Sequence, residues 1–274
     1  MVNSGLLIST DLDGTLLNHH DYHWTAARPL LQRLAQQGVV VVLNSSKTFA
    51  ELAAFSYPPP FERRWPFICE NGAAIALPDT PDYAELLTDE LPRLQGYALL
   101  ELSGPRQQWL SRLQQLPAEL QHSFTPWSRL EVAAIAAATG LSLAEAELAS
   151  QRRYSEPLCW HGSDSDYQAL RQRLEESGAV VTRGGRFVHI GDRCDKGRAL
   201  QRLSDLLLPL SPTSSWRTLA LGDSENDRPM LEQAEAAAVV INPPKPALVL
   251  NRACYTTRQP APMGWIEAVE WWLS

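Results

Sequence analysis

"STDLDGTLL", residues 9–17, decides how the rest of the chain is read. The apolar run Leu6-Leu7-Ile8 leads into it, and Gly14 follows two aspartates spaced one residue apart, so a buried strand ends by bringing Asp11 and Asp13 together. Two carboxylates placed there repel each other and lose hydration, and both effects cost free energy. One reading is a polar turn in which Asp11 or Asp13 caps a following helix, since aspartate suits both places. The other is a site for a phosphoryl group and for a cation, whose charge neutralises the repulsion.

Working outward, short apolar runs recur at 39–43, 67–69, 219–221 and 238–241, each closed by small or polar residues. They read as buried parallel strands. Helical patterns lie between them at 26–37, 48–55, 197–207 and 226–234, with a last one at 265–272. That alternation predicts an α/β fold with a doubly wound parallel sheet. The middle of the chain breaks it. Helical patterns at 106–116, 130–138, 142–150 and 166–176 mix with strand-like runs at 98–102, 157–160, 179–182 and 186–190 before the first pattern resumes. The expected organisation is therefore a core of residues 1–82 and 191–274, with an inserted α/β domain at 83–190.

Composition narrows the function. The 274 residues are 45% hydrophobic, enough for a sizeable core, and carry a net charge of -7. With a pI near 5.4, a broad basic footprint for nucleic acid is not expected. No apolar run has the length of a membrane span and no secretory signal opens the chain, so a cytoplasmic protein with a small-molecule partner is expected. Cys69, Cys159, Cys194 and Cys254 are far apart, which suggests neither a disulfide framework nor a zinc site. Nothing in the sequence signals an oligomeric state.

In open α/β sheets ligands bind beyond the carboxyl ends of the strands. Those ends offer Asp11 and Asp13, then Asn44, Ser45, Ser46 and Lys47, then Glu70, Asn71 and Gly72, then "GDSEND" at 222–227, then Asn242. Asp11, Asp13, Asp223 and Asp227 at one edge call for a hard cation, and oxygen ligands suit magnesium. One carboxylate can then attack phosphorus while its neighbour moves the proton. Taken alone, Ser45 could cap the helix at 48–55, Lys196 could be a solvated helix residue, and Asp223 and Asp227 could cap the helix near Asn226.

In order along the chain, "DLDGT", Ser45, Lys196 in "DKG" and "GDSEND" resemble the four motifs of the haloacid dehalogenase (HAD) superfamily of phosphatases, and the inserted middle resembles that superfamily's large α/β cap, the C2 type. More narrowly, "NSSKT" (44–48), "ENGAAI" (70–75), "RRYSEP" (152–157), "GGRFVH" (184–189) and "DKGRAL" (195–200) resemble the mannosyl-3-phosphoglycerate phosphatase family. Arg153, beside Tyr154, stands where an acidic residue is expected.

The resemblance implies a magnesium-dependent phosphatase with Asp11 as nucleophile and Asp13 as general acid and base. Magnesium would be held by Asp11, the main-chain carbonyl of Asp13 and Asp223, with Asp227 orienting Lys196 or a metal-bound water. Ser45 and Lys196 would donate to the phosphoryl oxygens. Ser46, Lys47, Glu70, Asn71 and Asn226 are further candidates for substrate contact. Arg152, Arg186 and His189 are candidates for the substrate's carboxylate, and Glu156 for its sugar hydroxyls. The expected substrate is 2-O-mannosyl-3-phosphoglycerate; the glucosyl analogue and a sucrose-phosphate-like sugar phosphate are the alternatives. A catalytically silent binding protein or a phosphotransferase would share the same core motifs.

Overall fold

The computed structural model describes residues 4–19, 22–55, 64–184, 187–213, 215–243 and 245–274. Its first compact unit comprises Met1–Ser46, Phe55–Leu100 and Asp195–Ser274, and its second Lys47–Ala54 and Glu101–Cys194.

The first unit is built on a nine-stranded sheet. Within it β1 (Leu6–Thr10) is flanked by β2 (Val40–Asn44), the middle strand, and β11 (Arg217–Gly222), both parallel to it. All five β2 residues are buried, which is why "VVVLN" shows no polar alternation: both faces of a central parallel strand are covered. Beyond β2 lie β3 (Phe67–Cys69), parallel, and β4 (Ala74–Pro78), antiparallel to β3. The hairpin of β5 (Arg93–Leu94) and β6 (Tyr97–Glu101) closes that edge. On the other side β12 (Ala236–Val239) and β13 (Tyr255–Thr256) continue the parallel order.

Alternation along β1 sorts the layers. Leu7 packs with Leu200 and Leu203 of α8 (Lys196–Leu206) and with Met230 and Leu231 of α9 (Arg228–Gln233). Thr10, pointing to the opposite face, accepts a 3.0 Å hydrogen bond from Trp265 Nε1 of α10 (Met263–Leu273). In α1 (Arg28–Gln36), Leu30, Leu31 and Leu34 form the buried stripe expected of a 3.6-residue period.

The second unit has a four-stranded antiparallel sheet in the order β7 (Phe124–Pro126), β8 (Glu156–Trp160), β10 (Phe187–Gly191), β9 (Val180–Gly184). One core joins Leu158, Val188 and Ile190 to Trp109 and Leu113 of α3 (Arg106–Gln114) and to Leu170 and Leu174 of α7 (Asp164–Glu176). The short α4 (Ala118–Gln121) packs beside α7. Opposite, Cys159 and Phe187 pack with Trp127 and the pair α5 (Val132–Thr139) and α6 (Leu143–Ser150). The remaining helix, α2 (Phe49–Phe55), groups largely with this unit.

The sheet order assigns one run of the expected insertion to the larger sheet. The run read at 98–102 as part of the inserted domain is β6, a member of the nine-stranded sheet. Tyr97, Ala98 and Leu99 are buried in succession, a pattern that either sheet satisfies. Strand β4 follows β3 through the tight turn at 69–74 and pairs with it antiparallel.

Candidate active site

At the carboxyl end of β1 the chain turns instead of starting a helix. Thr15 N, Leu16 N and Leu17 N all turn back to Leu12 O at 2.8–3.1 Å, and Gly14 N donates to Leu17 O at 2.9 Å. Leu12, Leu16 and Leu17 are buried and anchor the turn that carries Asp13, with Asp11, itself buried, just before it. The first helical residues come only at Thr25–Ala27, so neither Asp11 nor Asp13 is a helix cap. Gly14 has φ +86°, and a Cβ there would lie 2.4 Å from Asn242 Nδ2 and 2.9 Å from Asp223 Oδ2. Only glycine lets this turn and the fourth strand-end loop approach so closely.

Lys196, the first residue of α8, is fully buried. Its Nζ donates to Asp11 Oδ1 at 2.6 Å and to Asp227 Oδ1 at 2.6 Å. The isolated reading of Lys196 as a solvated residue is thereby overturned: burying an ammonium requires paired anions, and it has two. Burial works to lower its pKa, but Asp11 and Asp227 outweigh that and hold it above the ordinary lysine value. Asp227 Oδ2 accepts from Asp223 N at 3.0 Å and Ser224 N at 3.1 Å, so one carboxylate fixes both the lysine and the loop carrying Asp223. Asn242 Nδ2 donates to Asp223 Oδ2 at 2.6 Å.

Carboxylate oxygens of Asp11, Asp223 and Asp227 lie within 4.8 Å of one another, and the ammonium of Lys196 pairs with two of these groups. Burial first, then the Asp227 charge, pushes the Asp11 carboxyl up to about 8 against the pull of Lys196. Asp223 is also raised, chiefly by burial. A cluster of hard oxygen donors with excess negative charge fits a divalent cation such as magnesium.

The neighbouring strand ends complete the edge. Ser45 is buried, its N–H donating to Ile68 O and its carbonyl accepting from Asn71 N, each at 3.0 Å. The cap of α2 is Thr48, whose Oγ1 accepts from Glu51 N at 3.1 Å while Thr48 N donates to Glu51 Oε2 at 2.8 Å. Ser45 is therefore not the capping residue. Glu70 and Asn71 both adopt positive φ, 47° and 58°, ahead of Gly72 at 100°. Such backbone persists only where the surroundings impose it. At Gly72 a Cβ would meet Asp195 O at 2.3 Å, so this loop packs directly on the backbone that precedes Lys196. Asn226 Nδ2 donates to Asn71 Oδ1 at 3.2 Å and ties the third loop to the fourth. Ser46 is half-buried beside Ser45.

The remaining sequence-read candidates lie in the second unit. Lys47 pairs with Glu51 at 3.7 Å. Arg152 Nε donates to Ser155 Oγ at 3.0 Å. His189 is half-buried on β10, and burial followed by the nearby Arg152 charge lowers its pKa to about 4, so the ring is neutral near pH 7. Arg186 lies outside the described residues. Glu156 has a different use from the one expected. It is fully buried, forms an ion pair with Arg106 Nε, and accepts from Ser128 N at 2.9 Å. A carboxylate with both oxygens engaged and no exposure is not available to sugar hydroxyls. Asn44 and Asn242, noted in sequence only as strand-end residues, prove to be bonded into the array; an asparagine at the end of an apolar strand was the available signal.

Two families match consecutive parts of the chain: haloacid dehalogenase-like hydrolase over residues 8–108 and sucrose-6F-phosphate phosphohydrolase over residues 112–273. A glucosyl-3-phosphoglycerate/mannosyl-3-phosphoglycerate phosphatase of Persephonella marina is 31% identical over 272 residues, covering 96% of each chain. A protein of the same name from Methanococcoides burtonii is 30% identical over 266 residues, covering 96% of this chain and 95% of its own. Among solved structures, a HAD-superfamily phosphatase of Bacteroides thetaiotaomicron superposes with TM-score 0.67 at 17% identity over 97% of this chain and 94% of that one. The sucrose-phosphatase of Synechocystis sp., solved with sucrose and phosphate, superposes with TM-score 0.58 at 17% identity over 97% of both chains. These superpositions show a shared fold.

Proposed function

This chain belongs to the haloacid dehalogenase-like hydrolases, within the glucosyl-3-phosphoglycerate/mannosyl-3-phosphoglycerate phosphatase family, and we propose that it hydrolyses 2-O-mannosyl-3-phosphoglycerate to mannosylglycerate and phosphate with magnesium. The observation that carries this reading is the buried array in which Lys196 bridges Asp11 and Asp227 at 2.6 Å each, beside Asp223.

With Oδ1 held by Lys196, Asp11 presents its other oxygen to phosphorus. The oxygen–phosphorus bond to Asp11 forms as the phosphorus–oxygen bond to glycerate breaks, and Asp13 gives its proton to the departing oxygen. Asp13 then takes a proton from water, whose oxygen attacks the aspartyl-phosphate, releasing phosphate and restoring the Asp11 carboxylate. Asp11 and Asp223, with the main-chain carbonyl of Asp13, would hold a magnesium ion, whose chemistry is to screen the phosphate's charge from the anionic nucleophile. Ser45 and Lys196 donate to the phosphoryl oxygens, and Asp227 keeps Lys196 aimed. Ser46, Glu70, Asn71 and Asn226 border this edge, while Lys47, Arg152, Arg186 and His189 are the second unit's candidates for the glycerate carboxylate and sugar. The insertion, read as residues 83–190 and compact over Glu101–Cys194, supplies the specificity.

The family match over residues 112–273 also supports sucrose-6-phosphate as a substrate, and the relatives' names support the glucosyl compound. Phosphate release is the test, with magnesium or with EDTA, from mannosyl-3-phosphoglycerate, glucosyl-3-phosphoglycerate, sucrose-6-phosphate and p-nitrophenyl phosphate at matched concentrations. A strong preference for the mannosyl compound with loss in EDTA is expected. Activity confined to another sugar phosphate would remove the substrate assignment and leave the chemistry standing.

A further inference from the structure

Asn44, the last residue of β2, has no exposed surface and is bonded to the main chain of Lys196. Its side-chain amide donates twice: Nδ2 lies 3.0 Å from the main-chain carbonyl of Lys196 and 3.2 Å from Ser9 Oγ. Its Oδ1 is buried and accepts no hydrogen bond among the described residues. Rotating the amide would set Oδ1 against the Lys196 carbonyl, so the orientation is fixed by that contact. An acceptor left unsatisfied in the core costs about 1–3 kcal/mol, a penalty that an apolar residue of the same shape avoids and that offsets the two donated hydrogen bonds it gives up. The neighbouring β2 positions are Val40, Val41, Val42 and Leu43, all buried, so packing alone favours an aliphatic residue here too.

We infer that Asn44 is a positioning residue: it trades stability for a fixed main chain at Lys196, and thereby for a fixed ammonium between Asp11 and Asp227. The connection is short. The contact is to the lysine's own carbonyl, at the first turn of α8, and Ser9 anchors the same amide to the nucleophile's strand. Displacing a catalytic group by about 1 Å costs on the order of 100-fold in rate. Lys196 is held from the side-chain end by two carboxylates, so losing the hold at the backbone end shifts its reach without removing its charge.

The inference rests on the reading of Lys196 as a phosphoryl-oxygen donor, and the experiment separates the two. Asn44→Leu, Lys196→Met and the parent enzyme are compared in magnesium with p-nitrophenyl phosphate and mannosyl-3-phosphoglycerate, together with thermal midpoints and inhibition by orthovanadate. For Asn44→Leu the expected result is a midpoint at or above the parent's, kcat lower by about 10- to 100-fold, KM within about threefold, and orthovanadate inhibition weakened in proportion to kcat. A purely structural asparagine would change the midpoint and leave the orthovanadate constant alone. A kcat within about twofold of the parent overturns the inference. So does failure of both Asn44→Leu and the smaller Asn44→Val to fold, because the inference requires that the fold not depend on this amide. Retained activity in Lys196→Met would instead remove the role given to the lysine.

Discussion

Replacing Arg106 with leucine strands a carboxylate. Glu156 has no exposed surface, and Arg106, 16% exposed at its side chain, is its ion-pair partner; Ser128 N at 2.9 Å would be the remaining donor. Arg106 Nη1 also donates to Ser150 O at 3.3 Å, so the substitution loosens the end of α6 as well. Breaking a buried pair by removing one member costs about 3–5 kcal/mol, because the other charge stays desolvated. At about 2–4 °C per kcal/mol for a chain of this size, the midpoint should fall by about 6–20 °C. Glu156→Gln keeps an acceptor for Ser128 N and leaves the exposed end of Arg106 to water, so it should lose less, about 1.5–3 kcal/mol. Urea or thermal denaturation measures both, and KM for the sugar phosphoglycerate should stay within about twofold of the parent while the protein is folded. A rise in KM of tenfold or more with an unchanged midpoint would refute the reasoning and return Glu156 to the sugar.

Gly14→Ala places a Cβ 2.4 Å from Asn242 Nδ2 and 2.9 Å from Asp223 Oδ2 at φ +86°, so kcat should drop about tenfold or more and the magnesium activation curve should move to higher concentration. A superimposable activation curve would mean that the Asp223–Asn242 contact does not shape the cation site. Thr48→Ala removes the α2 cap and should cost about 1 kcal/mol, whereas Ser45→Ala should leave the midpoint alone and lower kcat; exchanged outcomes would restore Ser45 as the cap. His189 titrates at about 4 in the fold and near 6.5 unfolded, because burial and the Arg152 charge disfavour the imidazolium. The unfolded chain therefore takes the proton first: this stabilisation is whole above about pH 6.5 and is lost as pH falls toward 4, by up to about 3 kcal/mol. Denaturation of the parent and His189→Gln between pH 7 and 4.5 should show a flatter profile for the variant, and parallel profiles would contradict the assignment.

What the sequence determined by itself follows from local chemistry. Asp11, Asp13, Ser45, Lys196, Asp223 and Asp227 stand where apolar strands end or helices begin, and a parallel sheet gathers such ends on one edge, so the motif order and its family resemblance named them as candidates. The runs of β1, β2, β3 and β11 were legible because strands buried on both faces leave no polar alternation. Tertiary structure decided the rest, since it depends on partners distant in sequence. Residues 97–101 satisfy either sheet by composition, and only pairing placed them in the larger one. Glu156 reads as an exposed acidic group beside Arg152 and Arg153 until Arg106, 50 residues away, closes over it. Asn44 reads as a polar strand end until Lys196, 152 residues away, supplies its carbonyl. A residue's type sets which bonds it can make, and the fold alone brings the partner that fixes which one it makes.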